Sequence, residues 1–490
     1  MLINFILGAV GGGMLAWGPL NGDLALILLL GGLGGVLGGG LWAWQQILGK
    51  WGNLSAARHW SLSLILIQSG LVLVVATTAA WQLNRVGFFP PIGQDRRTNF
   101  EQLWYAMNDH YPYFELKGVD WEDAYSRYLP QVEAARDDGE YHRVVEHMLA
   151  ELNDAHTGLV SSLVLEPSCG FAFTREFEGQ AVVTVAGQTA QAAGLGVGAI
   201  VTQVDGMTLR GALGQIDPRL SAGSTPWQQR AKAFENLLNT PAGVSRTITF
   251  TAANGKQHTA TLNCPQDPSQ LPSGELEIWE LAQPRFTVEI QSRKLASGLG
   301  YIRIPTFGEN LVEEFDLALD GFLDTPGLVL DLRGNGGGNT RYAFAVAGRF
   351  LDESFSIGQD HFRQRLPQRG WRLWLDMRVK PRKPVYSGDV VLLTDSGCMS
   401  TTEQFILALV DSGRAQVVGR RTAGATGNPV QFQLVGGGRA RFSTGDFYRI
   451  DGTRLEGVGI IPDIEVEWTL DDFYQDRDPD LEAAEELLNW

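Results

Sequence analysis

The pattern of apolar and polar positions divides the chain into an apolar N-terminal part and a mixed remainder. Three stretches contain no charged residue: Leu2 to Leu20, Leu24 to Trp44 and Leu62 to Trp81. Each is close to the roughly 20 residues that a helix needs to cross a bilayer. The pattern therefore predicts three transmembrane helices within residues 1–84, followed by a short linker over residues 85–98.

Charges between these stretches predict the orientation of the chain. Lys50 and Arg58 lie between the second and third stretches, and basic residues stay on the cytoplasmic side. We therefore expect a multi-pass protein of the cytoplasmic (inner) membrane, with the soluble domains on the periplasmic or equivalent extracytoplasmic side. The alternative for the first stretch is a cleaved signal peptide, although it lacks a basic n-region. A transporter would carry ionisable residues inside the spans, and none occurs there.

Three further segments follow the linker. Residues 99–166 show mainly helical spacing of apolar positions and predict a small helical cap. Residues 167–265 alternate apolar and polar positions between turn glycines, which predicts a small β-rich domain. In residues 266–490, β-type and helical runs alternate, which is typical of an α/β layer architecture. The predicted fold class is thus an α/β multidomain protein behind N-terminal transmembrane helices.

Composition and charge narrow the function classes. The 400 residues that follow position 90 carry a net charge of −18, and such an acidic body repels phosphate backbones, so nucleic acid is excluded as a partner. The cysteines show no C-x-x-C spacing and no H-E-x-x-H motif occurs, so neither a metal nor another cofactor is expected. Cys169 and Cys264 flank the β-rich segment, where a disulfide and two unrelated thiols both remain open.

One stretch has the pattern of a nucleophile elbow. The apolar run Val390 to Leu393 leads into the small-residue turn Asp395 to Glu403, and helical apolar spacing follows from Gln404 to Val410. A strand, a tight turn and a helix in this order present a serine, here Ser400, at a helix N-terminus. On this stretch alone, a helix cap is the alternative role for the serine.

A glycine-rich loop follows another apolar run. Residues 333–339 read Arg-Gly-Asn-Gly-Gly-Gly-Asn directly after the strand-like Gly327 to Leu332. No Lys-Ser/Thr pair follows, so a phosphate-binding loop is not indicated. Backbone N–H groups in such a loop can instead stabilise an oxyanion.

These motifs together resemble the C-terminal processing peptidase family of serine proteases. The resemblance is carried by Leu330 to Gly338, Gly397 to Glu403 and Val417 to Thr422, and covers about residues 99–466. It implies a crotonase-like β-β-α catalytic core in which Ser400 is the nucleophile. It also implies an oxyanion hole formed by the backbone N–H groups of Gly337 and Thr401, and gives Cys398 a non-catalytic position.

The general base separates two branches of this family. One branch uses a lysine in the turn after the nucleophile helix, but here that turn reads Ala-Gly-Ala-Thr-Gly and no lysine follows Lys383. Asp154-Ala-His156-Thr157 resembles the other branch, which contains the tricorn core and the retinoid-binding-protein-like repeats. That resemblance implies His156 as the base and Glu456 as its orienting carboxylate. Ala155 stands where the tricorn-type site has a relay serine.

The β-rich segment is similar to a PDZ domain. Its Gly-Leu-x-x-Gly-x-Ile-Val-x-x-Val-x-Gly run, residues 194–206, carries this resemblance. Gly170, Phe171, Ala172 and Phe173 resemble the loop that captures a peptide C-terminal carboxylate, and imply a substrate-binding role. A PDZ-like fold with a degenerate groove is the alternative.

The predicted function is a membrane-anchored serine endopeptidase that cleaves extracytoplasmic polypeptides through a Ser400–His156–Glu456 site. Its PDZ-like domain would bind substrate tails or gate the site. A homo-oligomer is left open. The alternative is a non-catalytic PDZ-containing protein that binds polypeptides or ligands with a degenerate peptidase fold.

Overall fold

The computed structural model describes residues 95–163, 168–267, 271, 289–366 and 369–489. Within the described residues, the chain divides into two compact units: the first ends at Ala106 and includes Phe432–Val435, and the second contains Met107–Gln431 and the residues from Gly436 onward. In the first unit, the side chain of Asn99 holds the 432–435 segment: its amide nitrogen donates to the carbonyl of Gln433, and its amide oxygen accepts from the N–H of Val435. Asn99 is fully buried, so these bonds satisfy a polar group removed from water.

Helices come first among the described residues, where helical spacing predicts them. They are α1 (Arg96–His110), α2 (Phe114–Lys117), α3 (Trp121–Ala134) and α4 (Asp138–Ala150). Asp120 and Asp137 are the N-cap residues of α3 and α4. Their carboxylates accept hydrogen bonds from backbone N–H groups of the first turn. The predicted extent of the helical cap, residues 99–166, stays a prediction.

A β-rich region follows within the second unit. Its elements are β1 (Gly158–Val160), β2 (Ser168–Gly170), β3 (Ala172–Phe177), β4 (Gln180–Ala186), α5 (Gln188–Ala192), β5 (Ile200–Val204), β6 (Met207–Thr208), α6 (Leu209–Leu213), α7 (Pro218–Ser221), α8 (Pro226–Glu235), β7 (Asn239–Pro241), β8 (Ser245–Thr251) and β9 (Gln257–Asn263). Strands β3, β4, β5, β8 and β9 lie side by side in this order and pair antiparallel. Cys169 and Cys264 form a disulfide, so of the two alternatives for these cysteines the structure has the bonded one.

The α/β part begins with the elements β10 (Gln291–Lys294), β11 (Gly300–Arg303), α9 (Leu311–Asp320), β12 (Gly327–Asp331), α10 (Thr340–Ala347), β13 (Phe355–Leu366), β14 (Arg369–Val379), β15 (Asp389–Thr394) and α11 (Thr401–Val410). It continues with β16 (Ala415–Gly419), β17 (Val430–Gln433), β18 (Arg439–Phe442), β19 (Gly445–Arg449), β20 (Ile464–Glu465), α12 (Leu470–Tyr474) and α13 (Pro479–Leu488). The predicted boundaries of the domains at residues 167–265 and 266–490 stay predictions.

The central sheet has the strand order β10-β11-β12-β15-β16-β20, and all strands except β10 run parallel. Alternate residues face opposite sides: Leu330 and Leu392 pack with α9, α10 and α11, whereas Val329 and Val391 pack with α13. Burial on both faces explains why these strands read as continuous apolar runs. Beside this sheet, β13 pairs antiparallel with β14 and β19, and β1 pairs antiparallel with β18.

The described helices do not support membrane spans. The longest, α1, has 15 residues, short of the roughly 20 that cross a bilayer, and none in the described ranges is long and apolar enough. The three apolar stretches between residues 1 and 84 lie outside these ranges. The transmembrane part of the predicted fold class, and the multi-pass inner-membrane location derived from it, are therefore corrected: the described chain is a mixed α/β multidomain fold.

Candidate active site

Two loops meet at the carboxyl ends of neighbouring parallel strands. Asp331, the last residue of β12, lies opposite Leu393 of β15, so the loops that follow both strands start side by side. The backbone N–H of Met399 then donates to the carbonyl of Asn335 at 3.2 Å. This edge of an α/β sheet is where ligand sites form. The structure thus brings the glycine-rich loop and the elbow before α11 together.

Ser400 lies at the elbow, immediately before α11. Its φ of 61° is in the left-handed region, which costs a non-glycine residue about 1–3 kcal/mol. The surrounding bonds hold it there, because its backbone N–H donates to the carbonyl of Ala425 at 2.8 Å. A strained serine between a strand and a helix is the arrangement of a nucleophile elbow.

A buried carboxylate, Glu403, joins the elbow to the turn at residues 422–425. It accepts hydrogen bonds from the Thr422 hydroxyl (2.5 Å) and from the backbone N–H groups of Gly424 (2.8 Å), Ala425 (2.9 Å) and Ser400 (3.3 Å). Burial raises the pKa of Glu403 to about 7, and these hydrogen bonds oppose that rise. Glu403 thereby fixes Ser400 relative to this turn.

The predicted oxyanion donors lie close together, but one of them has another partner. A Cβ added at Gly337 would lie 2.9 Å from the Cβ of Ser400 and 3.1 Å from the nitrogen of Thr401. The Thr401 N–H opens α11, where the helix itself supplies no acceptor. The Gly337 N–H, however, donates to the side-chain oxygen of Asn335 at 2.9 Å. Asn335 was not among the predicted site residues.

We expect Gly337→Ala to abolish hydrolysis of any substrate that Ser400 attacks, because the added methyl group would collide with the Ser400 side chain. The glycine also has a φ of 100°, which L side chains rarely adopt. Gly336→Ala is the matched control, since a Cβ there meets no atom within 4 Å. The measurement is the cleavage rate of both variants at equal folded concentration. Equal rates would contradict the proposed closeness of Gly337 to the reacting group.

His156 lies in a turn between α4 and β1 and is 2% exposed. Asp154 fixes this turn: one carboxylate oxygen accepts the His156 backbone N–H at 2.8 Å, and the other accepts the hydroxyls of Thr157 and Ser443, both at 2.7 Å. Burial lowers the pKa of the His156 imidazole to about 4; the Asp154 charge opposes this, while Arg441 and Lys232 add to it. The ring is therefore neutral at pH 7, the form that a general base needs.

Glu456 is fully buried near the same turn. Its Oε2 accepts the Thr426 N–H at 2.7 Å, and its Oε1 lies 2.9 Å from the Nζ of Lys117. Burial and the Asp154 charge raise the pKa of Glu456 to about 8, and Lys117 lowers it. Lys117 was not predicted, because a lone lysine at the end of a four-residue helix carries no spacing signal.

The three predicted catalytic residues border consecutive residues of one turn. Ala425 accepts the Ser400 N–H, Thr426 donates to Glu456, and a Cβ at Gly427 would lie 3.3 Å from the Cβ of His156. Within the described residues, no hydrogen bond joins the His156 ring to the Ser400 hydroxyl or to Glu456. The buried Nδ1 of His156 has no hydrogen-bond partner among them. Ser400, Glu456 and His156 thus lie along one turn, but among the described residues the His156 ring makes no hydrogen bond to either of the other two.

The predicted substrate-binding segment lies in the β-rich region. Gly170 ends β2 and pairs with Asn239, Phe171 is fully buried, and Ala172 and Phe173 begin β3. The Phe171 carbonyl accepts the N–H of Gly187 at 2.8 Å. The role of these four residues in binding a substrate stays a prediction.

The α8 helix packs against the edge strand β3 and also reaches the site. On β3, the Thr174 hydroxyl donates to the carbonyl of Phe234, and Glu176 pairs with Arg230. At the other end of α8, the Thr225 hydroxyl donates to the Ala423 carbonyl at 2.9 Å, and the Trp227 indole N–H donates to the Thr422 carbonyl at 2.7 Å. One helix therefore contacts both the sheet edge and the turn that Glu403 holds.

Family comparisons match two segments of the chain. Residues 298–466 match the family described as Peptidase family S41, and residues 92–150 match the tricorn protease C1 domain. The first segment contains Ser400, Gly337, Thr401 and Glu456, and His156 lies outside both. These matches confirm the predicted resemblance to C-terminal processing peptidases and, at family level, the serine-type hydrolase class.

Curated relatives are similar to parts of the chain. A carboxy-terminal-processing protease of Bartonella bacilliformis is 28% identical over 198 residues, which are 39% of this chain and 44% of the relative. The tricorn protease of Thermoplasma acidophilum is 25% identical over 52% of this chain and 22% of its own length. CtpA of Bacillus subtilis is 24% identical over 57% of this chain and 58% of its own length. The chain thus spans less than two thirds of each of these relatives.

Solved structures share the fold. The structure of mature CPAF complexed with lactacystin superimposes with a TM-score of 0.64 at 17% sequence identity, covering 80% of this chain and 98% of that one. A second structure of mature CPAF gives the same TM-score and identity over 81% of this chain. At this identity, the likeness concerns the fold alone.

Proposed function

We propose that this chain, a member of the C-terminal processing peptidase family through its S41 segment at residues 298–466, is a serine endopeptidase of polypeptides. Its nucleophile would be Ser400, its general base His156, and Glu456 the carboxylate that orients the base. The observation that carries the proposal is the turn at residues 425–427, which contacts Ser400, Glu456 and His156 in succession.

The proposed reaction is acyl transfer. Neutral His156 takes the proton of the Ser400 hydroxyl while the oxygen attacks the carbonyl carbon of the scissile peptide bond. The resulting oxyanion accepts hydrogen bonds from the backbone N–H groups of Thr401 and Gly337. To donate to the oxyanion, the Gly337 N–H gives up its hydrogen bond to the side-chain oxygen of Asn335. His156 then protonates the leaving amine, the C–N bond breaks, and water hydrolyses the acyl-enzyme through the same base.

The proposed site needs a closing movement. In the described residues, the His156 ring makes no hydrogen bond to the Ser400 hydroxyl, and catalytic hydrogen bonds often tighten only when substrate is bound. Gly424 and Gly427 flank the part of the turn that carries the contacts to Ser400 and His156. The turn is therefore the element whose adjustment would bring base and nucleophile together.

The β-rich domain would bind substrate tails and act on the site through α8. A peptide strand adds to a free sheet edge, and α8 packs beside the edge strand β3 through contacts with the Thr174 and Glu176 side chains. A tail that enters this edge would displace the helix from β3. Because Thr225 and Trp227 bond the 422–423 backbone, that displacement would move the turn beside Ser400.

We expect Arg230→Ala to lower the KM for tailed polypeptides by about two- to five-fold, because it removes a partly exposed ion pair worth at most about 1 kcal/mol. Arg246→Ala is the control, since Arg246 pairs with Asp205 in the same region, away from the β3 edge. Steady-state kinetics on one polypeptide with and without its C-terminal tail give the answer. An unchanged KM would count against binding at this edge.

The direct test of the function is to incubate the full chain with an unfolded polypeptide and to identify the products by mass spectrometry. Internal cleavage that disappears in Ser400→Ala supports the endopeptidase. Binding of the polypeptide without cleavage would instead support the non-catalytic reading of the fold. Cleavage that persists in Ser400→Ala would reject the assigned nucleophile.

A further inference from the structure

Lys117 is a buried cation at the site that the proposed reaction has not used. Its Nζ lies 2.9 Å from Oε1 of Glu456, and the two side chains are 8% and 0% exposed. The same ammonium donates hydrogen bonds to the backbone carbonyls of Asn153 (2.9 Å) and Ser224 (3.2 Å). Its partners come from the C-terminal region, the turn before His156 and the loop before α8.

A buried ion pair of this kind needs an explanation beyond stability. Removing an ammonium and a carboxylate from water costs several kcal/mol per ion, and apolar residues of similar size often stabilise a fold as well or better. Two of the three N–H donors of Lys117 have backbone carbonyls as acceptors, and the ammonium contacts Glu456 as an ion pair. The contact that distinguishes it from a structural lysine is the one with Glu456.

The surroundings of Glu456 otherwise favour its neutral form. Burial and the negative charge of Asp154 raise the pKa of Glu456, and Lys117 opposes both. Tyr111 and Tyr113 also face this carboxylate; burial and the neighbouring carboxylates raise their own pKa values well above the ordinary range, so both phenols stay neutral. The Thr426 N–H donates one hydrogen bond to Oε2 of Glu456.

Glu456 differs from Asp154 in that one of its oxygens accepts no hydrogen bond. Both oxygens of Asp154 already accept hydrogen bonds, from the His156 backbone and from the Thr157 and Ser443 hydroxyls. Oε1 of Glu456 contacts the ammonium but accepts no aligned hydrogen bond, and Nδ1 of His156 is likewise buried without a partner. Ala155, which has no hydroxyl, cannot bridge the two atoms.

We infer that Lys117 is a positioning residue for peptide hydrolysis: its ammonium favours the ionised form of Glu456, the form in which the carboxylate can orient His156 and stabilise the imidazolium. This inference rests on the proposed endopeptidase function. When His156 takes the Ser400 proton, a positive charge forms in a buried place, and an ionised Glu456 stabilises it. A neutral Glu456 would not.

The experiment replaces Lys117 in the full chain and follows kcat/KM against pH with an unfolded polypeptide. Lys117→Met keeps the length of the side chain and removes the charge. We expect the acidic limb of the profile to move up by about one pH unit or more, and kcat at pH 7 to fall about ten-fold or more. Lys117→Arg keeps the charge and should restore the wild-type limb.

A merely structural role would give a different result. It would lower the fraction of active sites equally at every pH, which titration with a serine-directed fluorophosphonate measures. Lys383→Met, the same change at an exposed lysine paired with Asp352, controls for the substitution. An unshifted acidic limb in Lys117→Met, after correction for active sites, would overturn the inference.

A double variant keeps the test valid if Lys117→Met alone fails to fold. Lys117→Met with Glu456→Gln leaves no isolated buried charge. The inference predicts that Lys117→Met causes no further loss of activity in the Glu456→Gln background, and an additional ten-fold loss there would reject it.

If the wild-type chain does not cleave the polypeptide, or if Ser400→Ala still cleaves it, the proposed function itself has failed. A Ser400-dependent activity that is insensitive to Lys117 rejects only this inference.

Discussion

Replacing Ser400 by alanine is expected to lower kcat for polypeptide cleavage by a factor on the order of 10⁶, as removal of a serine nucleophile does when its base remains. The backbone should hardly change, because the bonds to Ala425 and Glu403 come from the Ser400 N–H, not from its hydroxyl. Binding of the polypeptide should therefore persist. Steady-state kinetics with a binding measurement on the same preparation checks both statements.

Cys398 is the control for this prediction, because it lies two residues from Ser400 and a cysteine thiol can also act as a nucleophile. Its thiol is fully buried and donates to the Leu332 carbonyl at 2.9 Å. Burial raises the pKa of Cys398 well above its ordinary value, so the reactive thiolate is suppressed. Cys398→Ala should keep cleavage within a few-fold of wild type. A loss as large as that of Ser400→Ala would reassign the nucleophile.

Replacing His156 by alanine is the second large expected effect, a fall in kcat on the order of 10⁴- to 10⁶-fold. A serine hydroxyl needs a base to lose its proton near neutral pH, and the neutral imidazole is the form present because its pKa is lowered to about 4. The Nδ1 of the side chain makes no hydrogen bond in the described residues, so the substitution breaks none at that nitrogen.

Combining Ser400→Ala and His156→Ala in one protein tests whether the two residues act together. Residues that act as one unit are not additive, so the double variant Ser400→Ala/His156→Ala should be about as slow as Ser400→Ala. Single-turnover kinetics of the four proteins measures this. Losses that multiply in the double variant would mean that His156 does not act through Ser400.

The central sheet could be predicted because its strands are buried on both faces. The apolar runs ending at Leu332 and Leu393 became β12 and β15, and the loops that follow them met as parallel strand ends require. The glycine loop and the elbow were therefore found from sequence. The direction of the Gly337 N–H could not be predicted from sequence. It depends on the side chain of Asn335, whose oxygen could have accepted a hydrogen bond from any nearby donor.

The resemblance to the family singled out Glu456, but its pairing with Lys117 could not be predicted. Lys117 and Glu456 are far apart in sequence, and neither stands in a periodic pattern that would reveal the partner. The packing of α8 against β3 was missed for a similar reason, since the Glu176–Arg230 pair depends on how the helix packs. The transmembrane prediction used hydropathy alone, and the described helices corrected it.

Activation of Ser400 by His156 is measured most directly by the rate at which a fluorophosphonate modifies the full chain, with the modified residue identified by peptide mass. We expect one modified serine, Ser400, and a rate that falls by about 10³-fold or more in His156→Ala, since only an activated hydroxyl reacts rapidly. Modification of Ser400 at the same rate with and without His156 would contradict it, as would rapid modification of a different serine.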